Sequence, residues 1–121
     1  MKKNIGNVLA LYPTPAVVVG TEVNGKVNWL LVAHVGIIGH DLIMLSMFKK
    51  HYTNEGVRQT GKVSVNMVSE AMLVRADYVG CVGGAKADKS DVFIYHKGEA
   101  GTPVIDESPL VMECEVVDNY E

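Results

Sequence analysis

The stretch "AVVVGTEVNGKVNWLLVA", Ala16 to Ala33, decides the fold. Two apolar, β-branched runs flank Asn24-Gly25, and both of those residues tolerate the positive φ that a type I′ turn demands. The pattern predicts a β-hairpin, with one strand from Ala16 to Thr21 and the next running to Ala33. Downstream, "HVGIIGHD" reads as a glycine-punctuated loop. "LIMLSMF", Leu42 to Phe48, follows as a third strand, apolar enough to be buried on both faces. Thr53 is placed to cap a short helix with Glu55 in its first turn and Gly61 at its end, and Gly56 weakens it. "KVSVNMV" alternates, setting Val63, Val65 and Met67 against Ser64 and Asn66. Ser69 opens a second helix, "EAMLVRADYVG", predicted to bury Met72, Leu73 and Ala76. "CVGGAKADKSDVF" is a loop, and "VMECEVV" alternates again as a half-exposed antiparallel strand. Hairpin-like strands, two short helices and no βαβ rhythm predict a mainly β fold, an antiparallel barrel with helices attached.

Composition sets the function classes. A chain of 121 residues, 48% hydrophobic and 21% charged, has the profile of one domain, residues 1–121, with enough apolar side chains for a core. Its formal net charge of -3 argues against a nucleic-acid partner, which would require an excess of Lys and Arg. Cys81 and Cys114 have no C-x-x-C spacing and no neighbouring partner set, so no metal site is expected. Both read as free thiols in a reducing cytoplasm. Pro13 and Pro15 interrupt the first apolar run and argue against a signal peptide, and no run approaches bilayer-spanning length.

One cluster calls for an anion. Between Ser46 and Thr53 the chain offers two hydroxyls, the ammonium groups of Lys49 and Lys50, the His51 imidazole and then a helix N-terminus. A phosphate monoester takes that combination of charge-assisted donors and positive helix end. A solvated turn after a strand is the competing reading.

The order and spacing of "YPTPAVVVG", "GKVNWLLVAHVG", "LSMFKKHYTNEGVRQTGKVSVNMVSEAM", "ADYVGCVGGAKADKSDVF" and "ESPLVMECEVV" resemble the flavin reductase-like FMN-binding split-barrel family, in its flavoredoxin branch. The resemblance implies an antiparallel Greek-key split β-barrel that dimerises, with FMN at or near the subunit interface. It implies phosphate contacts from Ser46, Lys49, His51 and Thr53, with Lys50 and Asn54 as alternates. Lys49 and Lys50 diverge on a strand or turn, so one of them is expected inward, Lys49 first. The resemblance sets Asn28 and Ala33, His34, Val35 and Gly36 along the isoalloxazine edge. His34 would either meet the flavin or fill the dimer interface.

Lys89 corresponds to a lysine that can approach the flavin, where a cation would raise the reduction potential. The alternative is that Lys86 and Lys89 pair with Asp88 and Asp91 on the surface. Asn66 reads as a strand amide satisfied by a neighbouring backbone, Cys81 as a small buried hydrophobe, and Arg58 as a surface or interface charge. Trp29 fits a core or an interface. Relatives run on past "ECEVVDNYE" with further strands, so the sequence is expected to be a fragment or a short form that leans on a dimer partner for closure.

The implied activity is NAD(P)H:flavin oxidoreductase-like, an enzyme with FMN as cofactor and NAD(P)H as transient reductant; no catalytic residue is assigned. A flavoredoxin-type electron carrier without NAD(P)H activity, serving a protein partner, is the alternative. A third reading is a non-catalytic flavin-binding or dimerisation module. All three are cytoplasmic, without nucleic acid or membrane.

Overall fold

A computed structural model describes residues 1–121. In chain order the elements are β1 (Val17–Val23), β2 (Lys26–Val32), β3 (Val35–Ile37), β4 (Ile43–Leu45), α1 (Thr53–Thr60), β5 (Lys62–Met67), α2 (Leu73–Cys81), β6 (Tyr95–Lys97), β7 (Pro103–Ile105) and β8 (Val111–Glu115). The first hairpin forms as the sequence predicts. Val23 pairs with Lys26, and Asn24 and Gly25 turn the chain at φ 53° and 79°.

One four-stranded antiparallel sheet runs in the order β2-β1-β5-β8, while β3–β4 and β6–β7 form two separate hairpins. The sheets are open, and no barrel closes within the chain. Both faces of the main sheet are covered, which explains why β1 is buried at nearly every position instead of alternating. Val18, Val27 and Trp29 point to one face and pack with Met72, Ala76 and Val79 beside α2, and with Phe93 and Ile105. Val17, Val19, Leu30, Val32, Val63 and Val65 point to the other, where Val35, Ile43 and Leu45 of β3–β4 and Val57 of α1 cover them. Each such side chain, fully buried, contributes roughly 1.5–3 kcal/mol.

Trp29 is core, 0% exposed, with the rings of Phe93 and Tyr95 edge-on to it at 5.7 and 5.6 Å. Its indole N–H has no hydrogen-bond partner. The ring lies across Gly20, its cross-strand neighbour, where a Cβ would stand 2.7 Å from Trp29 Cε3 and from Ser64 Oγ. On the same face Asn66 is satisfied as the sequence suggests. Its amide donates to Val18 O and Ser64 Oγ, and its carbonyl accepts from the Ile105 N–H.

Four expectations need correction. The strand expected over Leu42–Phe48 shrinks to Ile43–Leu45, and only one of its faces is covered, since Met44 is 52% exposed. It pairs only with β3, outside the main sheet, so nothing lies over its second face. In the second helix Leu73 is 56% exposed, and Val79 takes the buried place. A 3-10 turn over Glu70–Met72 precedes α2, and the buried stripe becomes Met72, Ala76 and Val79, an i, i+4, i+7 series. Cys81, at the end of α2, is exposed, beyond that stripe. Thr53 makes no capping hydrogen bond; Tyr52 occupies the N-cap. Gly61 does end α1 in the left-handed conformation, its N–H donating to Val57 O. No helix is long and apolar enough to cross a membrane.

Candidate functional site

The turn from Ser46 to Thr53 has two sides, and the fold treats them differently. Its backbone is stapled from within. Ser46 N–H donates to His34 O at 2.8 Å, joining the end of β4 to the residue before β3. The Asn54 side chain donates to Phe48 O at 2.9 Å and to Lys49 O at 3.3 Å, and His51 N–H also donates to Phe48 O. Asn54 therefore shapes the turn. The helix N-terminus is less open than the sequence suggests, because Asn54 and Glu55 N–H already donate to His51 O and Tyr52 O. What remains for a ligand is the side chains and the N–H groups of Lys50, Tyr52 and Thr53, which donate to no backbone carbonyl.

On the outer side those side chains line a groove of about 470 Å³, formed by Leu31, Val32, Ala33, His34, Ser46, Met47, Phe48, Lys49 and His51. The end of β2 supplies one wall and the turn after β4 the other. The groove's lining combines apolar side chains with the Lys49 ammonium, the His34 and His51 imidazoles and the Ser46 hydroxyl. Lys49 Nζ lies 3.3 Å from a Glu121 carboxylate oxygen, an exposed and therefore weak pair. Phe48 is exposed and meets the His51 ring edge-on at 6.1 Å. Of the sequence candidates, the groove brings together Ala33, His34, Ser46, Lys49 and His51, and it takes Lys49 and not Lys50. Val35 and Gly36 lie just beyond it, paired with Leu45 and Met44 in the β3–β4 hairpin.

On the inner side the candidate side chains are buried and satisfied within the chain. The Asn28 amide donates to Thr53 Oγ1 at 2.9 Å, and both residues are buried, so two candidates for ligand contact are partners of each other. Lys89 is 2% exposed; its ammonium donates to Val79 O at 3.0 Å and Val82 O at 2.7 Å, carbonyls at the C-terminal end of α2. Burial pushes it down to about 8 from 10.5. It is neither in the groove nor paired on the surface with Asp88. That carboxylate meets Lys26 at 2.7 Å, and Lys26 with Ser90 holds it well below the usual range. A second hollow of about 300 Å³ lies on this side, lined by residues that include Lys26, Asn28, Tyr52, Gly84, Asp88 and Lys89.

Residues 9–121 match the sequence pattern described as the flavin reductase like domain. The chain belongs to this family. The flavoredoxin from Methanosarcina acetivorans superposes with a TM-score of 0.89 at 38% identity, over 100% of this chain and 67% of that one. The flavoredoxin of Desulfovibrio vulgaris (Miyazaki F) gives 0.90 at 30%, over 100% and 69%. The FMN-binding protein from Thermus thermophilus shares the fold at 19% identity, with a TM-score of 0.85 over 98% and 67%. A search of curated proteins gives no significant match.

Within this flavin reductase-like domain, sequence reasoning missed the apolar part of the groove's lining, Leu31, Val32, Met47 and Phe48. These sit in runs that read equally well as core. It also missed Gly84 and Tyr52 behind the turn, where the only signal was a glycine pair in a loop.

Proposed function

We propose that the groove holds FMN and that the domain serves flavin redox chemistry as an NAD(P)H:flavin oxidoreductase-like flavoprotein. The observation that carries this is the meeting of Ala33 and His34 with Ser46, Lys49 and His51 around one groove. A groove that combines apolar side chains with an ammonium, imidazole donors and a hydroxyl matches an aromatic ligand with an anionic tail. Ser46, Lys49 and His51 would hold the phosphate, and Ala33 and His34 the ring edge. Asn28 and Thr53 would act from behind, and Lys89 from farther away still. Bound flavin supplies hydride and electron transfer; the chain supplies binding, orientation and electrostatics.

A flavoredoxin-type electron carrier is the second reading, favoured by the 38% and 30% identities to two flavoredoxins. A steady-state assay of NAD(P)H oxidation with FMN separates the two. We place the domain in a cytoplasmic homodimer in which the open sheets complete a Greek-key split barrel. Exposed Ile37, Met44 and Phe48 beside the groove support a covered face there, since apolar patches of this kind mark interfaces. Sedimentation at micromolar concentration tests it, and a stable monomer would contradict it.

The central experiment compares FMN with riboflavin, which lacks only the phosphate. The Lys49→Ala/His51→Ala variant should lose FMN affinity by about a hundredfold or more, at 1.5–3 kcal/mol per charged hydrogen bond. Riboflavin affinity should hardly change. Equal losses for both flavins, or none, would overturn the assignment.

A further inference from the structure

The loop between α2 and β6 lies against the back of the turn beside the 300 Å³ hollow, and at Gly84 the contact leaves no room for a side-chain carbon. A Cβ at Gly84 would stand 2.6 Å from Tyr52 Cδ2 and closer still to Asn28 Oδ1. The nearer neighbour, Asn28, cannot give way freely. Asn28 is buried and its amide is committed to Thr53 Oγ1, while the Tyr52 carbonyl holds the Glu55 N–H at 3.1 Å. The loop itself is fixed at several points. Lys89 ties it to the end of α2, Asp88 ties it to Lys26 on β2, and the Lys86 and Ala87 N–H groups close on Gly83 O at 3.0 and 3.1 Å. A pinned loop thus presses on Asn28 and Tyr52, and Asn28 grips the first residue of α1. The Lys49–His51 segment leads directly into that residue.

We infer that the Val82–Lys89 loop is a brace that sets where Lys49 and His51 stand, with Gly84 and Asn28 as positioning residues for anion recognition. The inference rests on the phosphate assignment proposed above and extends it to residues that never touch the ligand. Displacing a bound group's partners by a fraction of an ångström weakens directional, charged hydrogen bonds and leaves apolar contacts nearly intact. The brace therefore acts on preference for the phosphorylated flavin more than on flavin affinity as such.

The test titrates FMN and riboflavin against Gly84→Ala, Asn28→Ala, the double variant and Lys49→Ala. Gly84→Ala should lower FMN affinity by about tenfold while riboflavin changes by less than about threefold. The double variant should lose less FMN affinity than the two single losses combined, because removing the Asn28 amide relieves the nearer of the two contacts at Gly84. The brace is overturned if Gly84→Ala leaves the FMN-to-riboflavin ratio unchanged while Lys49→Ala collapses it. It is also overturned if both flavins weaken together or the two substitutions add. If Lys49→Ala itself leaves the ratio unchanged, the phosphate assignment fails and the brace falls with it. Should Gly84→Ala not fold, Lys89→Met decides, since it cuts the buried tie of the loop to the α2 carbonyls without adding volume. A selective loss for FMN supports the brace, and no loss overturns it.

Discussion

The outer and inner sides of the Ser46–Thr53 turn are built from the same kinds of residue and put them to opposite use. Outside, Ser46, Lys49 and His51 face a groove, and the one ion pair there, Lys49 with Glu121, is exposed. Inside, Asn28, Thr53 and Lys89 are buried, and each has a partner within the chain. Removing an outer side chain should therefore change binding and spare the fold. Removing an inner one should cost stability first and reach binding only through the position of the turn, because burial without a partner costs free energy.

The sharpest break of that comparison is Gly56→Ala in α1. Helix propensity alone predicts a gain of roughly 1 kcal/mol. However, a Cβ there would meet Thr21 Cγ2 at 2.5 Å and the Glu22 carbonyl at 2.7 Å, where the helix seats on β1. The expected outcome is a loss of about 1–3 kcal/mol in urea unfolding. A gain would mean that α1 is not seated as described.

Thr53→Val comes next. It keeps the shape and leaves the buried Asn28 amide without its acceptor, so a loss of about 1–2 kcal/mol is expected from the unfolding midpoint. Thr53→Ser, which restores the hydroxyl, should recover much of it.

Lys89 gives a pH dependence of definite sign. Burial lowers its folded pKa to about 8 against 10.5, so between those values the unfolded chain holds more protons and stability rises with pH. Below pH 8 the contribution is flat. The neutral amine still donates to both carbonyls, so nothing is broken as the proton leaves. Wild-type stability, measured against Lys89→Met, should climb between pH 8 and 10.5. A falling difference would show that the carbonyls stabilise the charged form more than burial opposes it.

The smallest effect belongs to the outer side. Lys49→Ala should shift stability by less than about 0.5 kcal/mol, since the Glu121 pair is exposed. A larger shift would make Lys49 a structural residue and erase the contrast.

The sequence made some of this legible and hid the rest for physical reasons. Asn24-Gly25 announces its hairpin because few residues accept positive φ, and the Ser46–His51 cations stand out because charge is scarce nearby. Burial is harder to read. Lys89 looks like surface because the α2 carbonyls that receive it lie seven and ten residues away in the chain and become neighbours only on folding. Thr53 looks like a cap because its true partner, Asn28, is 25 residues distant on β2. Leu73 was misplaced by one turn geometry, the 3-10 segment that resets the helical stripe.

The protein also carries its own lamp. Trp29 is its single tryptophan, sealed from water between Phe93 and Tyr95 with its N–H unbound, an environment in which indole emits at short wavelength. Unfolding would shift that light to the red. Indole emission overlaps the near-ultraviolet absorption of isoalloxazines, so a flavin arriving in the groove would dim it, and one unlabelled cuvette could follow both folding and occupancy.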